Sequence, residues 1–148
     1  MPYLTIDAHP PLIVARRVGA ADAASMWTML AWARERLLAS DRKLAFVYDA
    51  GETPGGLPDA AARGAAGEWL RANQRVLREH CAGLDFALPA PLSRGALTAV
   101  FWLAQPAVPW AMHGTLAAAV AAGLARTGSA LDADAIVRDL ARRPSTGA

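Results

Sequence analysis

Residues 44–88 place the tightest constraint on the fold. An apolar run, Leu44-Ala-Phe-Val-Tyr-Asp49, leads into a Gly/Pro loop and a long helix-patterned stretch to Cys81, and a second apolar run follows, Leu84-Asp-Phe-Ala-Leu88. Nearly continuous apolar runs of this length suit strands covered on both faces. Two such strands separated by a helix join as parallel neighbours through a crossover. A chain built on this unit is predicted to be an α/β domain, and its 148 residues suffice for one such domain around a single core.

The flanking segments extend the pattern. Residues 3–7 and 12–16 are short β-like runs on either side of Ala8-His-Pro-Pro11 and predict an opening antiparallel pair. Helical spacing follows over 20–40: Met26, Leu30, Ala33 and Leu37 share a stripe, Trp27 and Leu38 flank it, and Trp32 lies far from it, a candidate for exposure or for contact with another chain. The helix expected over 59–82 carries Ala62, Ala66, Trp69, Val76 and Leu77 on one face, with Gly83 as its stop. Asn73 and His80 project onto that apolar face, so each is expected to find a hydrogen-bonding partner there. Ser93 is expected to cap a helix over 94–103, residues 110–114 to form a last strand, and Thr115 to cap a helix over 116–126. A terminal helix over 131–143 and a mobile tail from Pro144 complete the order ββαβαβαβα plus a C-terminal helix. The fold class is thus α/β, a mixed sheet of about five strands with about four helices and an extra C-terminal helix. The domain is expected at 1–126, with linker, helix and tail at 127–148.

Charge and composition narrow the function. A net charge of +2, with arginines alternating with acids along the helices, offers no basic block for nucleic acid. One cysteine cannot form an internal disulfide. Asp7, His9, Pro10 and Pro11 in the opening stretch do not read as a secretory leader, and the longest apolar run, 117–125, is too short to span a bilayer. The expectation is a cytoplasmic domain without membrane insertion.

No catalytic constellation emerges. His80 and Cys81 are adjacent, so on a helix they diverge by about 100° and cannot share a metal ion. His9 and His113 stand alone in sequence, and neither a metal nor a cofactor is expected. Thr53-Pro-Gly-Gly56 lacks the lysine and spacing of a phosphate-binding loop. Asp49 is the best single polar candidate because it ends the central strand, where crevices form in such sheets; its structural alternative is a cap for the following loop.

The element order resembles the STAS domain, named for sulfate transporters and anti-sigma factor antagonists, and more closely the small SpoIIAA-like single-domain bacterial proteins. Phe46-Val-Tyr-Asp-Ala-Gly51, the helix from Glu68-Trp-Leu-Arg-Ala-Asn73 through Arg78-Glu-His-Cys81, Gly83-Leu-Asp-Phe86 and Arg94-Gly-Ala-Leu-Thr-Ala-Val-Phe-Trp102 carry the resemblance. It implies a regulatory module that docks on partner proteins. In that family a serine after the third strand is phosphorylated and switches the complex; the corresponding stretch here holds no serine, and Thr53 is its only hydroxyl.

Five tryptophans are the remaining clue. Trp27 and Trp69 read as core, whereas Trp32, Trp102 and Trp110 exceed what one core absorbs. The helix over 94–103 is apolar on almost every side, so Ala99, Trp102 and Leu103 are expected to face a second surface. That surface could be a second copy of the chain, another protein, or an apolar pocket bounded by Phe101, Trp102 and Trp110. The reading is a non-enzymatic protein-interaction or regulatory module that self-associates, as a homodimer through its first and third helices. The alternative is a small-molecule binder or enzyme using the crevice near Asp49 and the loop 50–58 with Thr53.

Overall fold

The computed structural model of the chain describes residues 2–51 and 57–143. Among them are five strands and six helices: β1 (Tyr3–Ile6), β2 (Leu12–Arg17), α1 (Ala23–Ala39), β3 (Leu44–Asp49), α2 (Ala60–Ala72), α3 (Gln74–His80), β4 (Cys81–Ala87), α4 (Pro91–Leu103), β5 (Trp110–His113), α5 (Leu116–Thr127) and α6 (Ala133–Ala141). The strands form one mixed sheet whose spatial order is the chain order, β1-β2-β3-β4-β5. Only β1 and β2 are antiparallel; the later neighbours are parallel, with Val14 opposite Val47, Val47 opposite Asp85, and Asp85 opposite Ala111. The α/β mixed-sheet fold read from the sequence is therefore present.

Side-chain alternation divides the sheet's two faces. Ile13, Phe46, Leu84 and Phe86 join the larger core under α1, α2, α3 and α4, whereas Leu12, Val14, Ala45, Val47 and Ala87 join a smaller core with α5 and α6. Three successive crossovers of one hand, each stepping to the next strand, must lay their helices on the same face. The chain leaves that face only after β5. Gly123 lets α5 lie close to the strands: a Cβ there would come within 2.9 Å of the Leu12 side chain.

Helix ends follow local chemistry where a capping side chain exists. Asp22 caps α1 in a reciprocal box with Ser25, Asp59 accepts from the Ala62 amide, and Thr115 accepts from the Ala118 amide. Three boundaries differ from expectation. The stretch expected as one helix over 59–82 is two, because Asn73, at φ −117° and ψ 23°, closes α2 and opens α3. Gly83 does not stop a helix; the backbone turns extended at Cys81, which pairs with Leu44, so Gly83 lies inside β4 opposite Ala45. Ser93 is not an N-cap, since α4 starts two residues earlier at Pro91, whose fixed φ and missing N–H suit a first helical position.

Helix α6 packs into the smaller core through Ile136 and Leu140, both buried. His9 Nε2 lies 2.6 Å from Asp139 Oδ2, and Arg16 donates to the Leu140 carbonyl at 2.7 Å. The tail expected to be mobile, from Pro144, lies outside the described residues. No helix among the described residues is long and apolar enough to cross a membrane.

Candidate functional site

Helix α4 presents two contrasting faces. Val100 and Phe101 are buried against the sheet and Leu97 packs beside them. Phe101 sits between Phe86 and Trp110, with ring centroids at 5.6 and 4.5 Å in edge-on geometry. On the opposite side Leu92, Gly95, Ala99, Trp102 and Leu103 are all exposed and fall on one stripe at helical spacing. The exposure is large, at 72% for Leu92, 83% for Trp102 and 74% for Leu103. Ala99, Trp102 and Leu103 are thus outward-facing, as expected. A pocket bounded by Trp102 does not form, because Trp102 points away from Phe101 and Trp110.

Trp32 is placed differently. It is partly buried against the larger core, while Trp27, read as core, is 40% exposed. A helical wheel assigns one buried stripe to α1, but α1 packs against the sheet and also against α2 and α3. Trp32 lies one turn before Arg36, which reaches Asp7 beyond β1, so its flank of α1 packs toward the β1 edge of the sheet. Trp69 is buried as expected.

Beneath the α1–α4 layer lies a chamber of about 130 Å³. Its walls are almost wholly apolar: Met29, Leu37, Phe46, Trp69, Leu77 and Phe86 among others. Among the described residues its polar lining is Arg17, Tyr48, Arg63 and Ser93. These four sit at the last residues of β2 and β3 and in the first turns of α2 and α4, so the topology gathers them at one end. Arg17 is only 4% exposed. The Tyr3 and Tyr48 hydroxyls are 3.3 Å apart, and burial, reinforced by the neighbouring Tyr3 phenol, pushes the Tyr48 phenol well above its ordinary range. It remains a neutral hydroxyl.

Asp49 does not face this chamber. It points to the α5/α6 side, accepts from Arg16 Nε at 2.9 Å and from the Gly51 amide at 3.0 Å, and is buried. It is a loop cap within an ion pair. Thr53 lies outside the described residues. Asn73 has the partners expected of it, donating to the Trp69 carbonyl and accepting from Arg34 Nε. His80 stays at the surface end of α3, its side chain 29% exposed beside Glu79.

The sequence reading missed a polar cluster under α5. Asp85, 0% exposed in the middle of β4, accepts from Arg126 Nε at 2.8 Å and from its Nη2 at 3.1 Å, and His113 Nε2 lies 2.9 Å from Oδ1. A lone aspartate in an apolar strand was the available signal, because a buried carboxylate demands partners. Its partners are far away in the chain and only the β4–β5 register and α5 deliver them. Both carboxylate oxygens are occupied and no hydroxyl or thiol nucleophile joins the cluster in the described hydrogen bonds, so it holds α5 to the sheet. Among the described residues no three of His, Cys, Asp and Glu gather as a metal site.

No protein-family model matches the chain, and no curated protein is similar to it.

Proposed function

We propose that this chain is a STAS-like, non-enzymatic interaction module that pairs with a second copy of itself through α4. One observation carries the reading: the outward stripe of α4 is self-complementary in size. It is large at both ends, Leu92 at one and Trp102 with Leu103 at the other, and small between, at Gly95 and Ala99. Two copies of α4 crossing antiparallel about an axis level with Leu97 set Leu92 against the partner's Trp102 and Gly95 against the partner's Ala99. A two-fold contact requires this kind of self-matching. Small residues at the crossing allow the helices to approach, and the large ones cover the ends. The stripe carries no charge that would be desolvated. The resemblance of the element order to STAS domains, which implies docking on proteins, supports the same reading.

Helices of this length cover less than the roughly 1,600 Å² of a standard interface, so the dimer is expected to dissociate at roughly micromolar concentrations. Light scattering over a concentration series reads this directly. The native chain should shift from monomer to dimer mass, Trp102→Glu should stay monomeric and folded, and Gly95→Leu should do the same. The Gly95 variant is the stricter one, because a Cβ there meets nothing within 4 Å in the single chain. A native chain that remains monomeric up to millimolar concentration, or variants that dimerise like it, would overturn the reading.

A further inference from the structure

We propose that the chamber under α1–α4 binds a small neutral aromatic molecule, a single ring with roughly six to eight carbon atoms. This site is separate from the dimer face, since it lies on the inner side of α4.

Volume sets the size of the ligand. A cavity of about 150 Å³ lined by aliphatic and aromatic side chains holds a benzene-sized molecule and stays dry without one; this chamber is about 130 Å³. Protein interiors otherwise leave few voids larger than a water molecule, so space of this size within the larger core calls for an occupant.

The walls set the ligand's chemistry. Phe46, Trp69, Phe86 and Phe101 offer aromatic rings, and Met26 and Met29 offer thioethers. Ring–ring and sulfur–ring contacts add an attraction that an aliphatic guest of the same size does not receive. A charged group beside these side chains would lose its hydration and gain no partner. Three polar groups of the lining are already engaged inside the protein and do not ask for a ligand. The Tyr48 hydroxyl lies 3.3 Å from that of Tyr3, Arg63 Nη1 donates to the Pro58 carbonyl at 2.6 Å, and Arg17 interacts within the chain. Leu57, Pro58, Arg63, Ser93 and Ala96 are among the described lining residues that keep contact with solvent, which puts the opening at the end where α2 and α4 begin.

Isothermal titration of the full chain tests this, with benzene, cyclohexane, benzoate and benzylammonium as probes. Benzene should bind one to one and several-fold tighter than cyclohexane, and both charged rings should bind roughly tenfold more weakly than benzene or not at all. Ala96→Phe, which fills the chamber from α4 at a partly exposed position, should abolish benzene binding with the circular dichroism spectrum retained. Ala66→Phe should do the same from α2, so that the test survives if one variant fails to fold. Trp102→Glu should bind benzene like the native chain, which separates this site from dimerisation. Cyclohexane, benzoate or benzylammonium binding as tightly as benzene, no benzene binding to the folded native chain at millimolar concentration, or a folded Ala96→Phe or Ala66→Phe chain with unaltered benzene affinity would each overturn the proposal.

Discussion

Gly83 shows how much a single missing side chain can decide. Arg126 crosses directly over it to reach Asp85, and a Cβ there would collide with the Arg126 side chain and come within 2.9 Å of the Pro109 carbonyl. The Asp85 carboxylate cannot be left without its guanidinium, so the arginine is not free to step aside. Gly83→Ala is therefore expected to destabilise the fold by about 1–3 kcal/mol, read as a shifted urea midpoint at unchanged slope. Cys81, at the start of the same strand, illustrates the opposite case, a reactive group made inert. Burial pushes its thiol up to about 11, and its Sγ donates to the Gly83 carbonyl at 3.3 Å. Since only the thiolate reacts, Cys81 should resist alkylation in the native chain at pH 8 and react as soon as denaturant exposes it. Fast labelling of the folded chain would contradict both the burial and the pKa direction. Asp85, Gly83 and Arg126 were each visible in the sequence, but their meeting was not, because they are brought together by strand register and by a helix some forty residues further on.

At the scale of elements, the strands were the most legible. Period-two burial and continuous apolar runs are local properties, and every expected strand is present. Helix existence was equally legible, but the interruption at Asn73 was not, because one residue leaving helical geometry changes no apolar periodicity around it. Helix α6 was set apart in the sequence, yet Leu140 is fully buried and Asp139 is bonded to His9 and Arg143. Leu140→Ala should cost about 2–5 kcal/mol, measurable by chemical denaturation, whereas an independent appendage would lose nothing from the rest of the fold. The hydrogen bond from His9 and the charge of Arg143 hold the Asp139 carboxyl below its ordinary range. A lowered folded value means that its contribution is complete above the unfolded value of about 3.9 and is lost as pH falls through the lowered one. Protection of the α6 amides against hydrogen exchange should therefore fall below pH 4, and Asp139→Asn should remove that pH dependence. Unchanged acid sensitivity in the variant would assign it to other carboxylates.

The whole molecule is a sheet wound in one direction, with α1–α4 on one face and α5 and α6 closing the other. That arrangement creates both functional candidates, because α4 is the last helix of the wound layer: among the described residues it has a neighbour on one side only, its inner face roofs the chamber, and its outer stripe is left uncovered. The apolar excess of 94–103 foretold the outer stripe, and helical spacing correctly turned Ala99, Trp102 and Leu103 outward. The chamber had no such signal. Its polar residues, Arg17, Tyr48, Arg63 and Ser93, are scattered over the sequence and become neighbours only because parallel strands deliver their C-terminal ends to one edge of the sheet. The same strand-end argument singles out Asp49 for the crevice, but adjacent residues on a strand face opposite sides: Tyr48 lines the chamber, and Arg16, the partner of Asp49 in β2, draws the carboxylate under α6. Element types, their order and the outward stripe were settled by residues within a few positions of one another, since periodicity, capping and turn chemistry act over one or two turns of chain. Which tryptophan is covered, which carboxylate is paired and where empty space remains depend on contacts between segments far apart in the chain, and only folding brings those together.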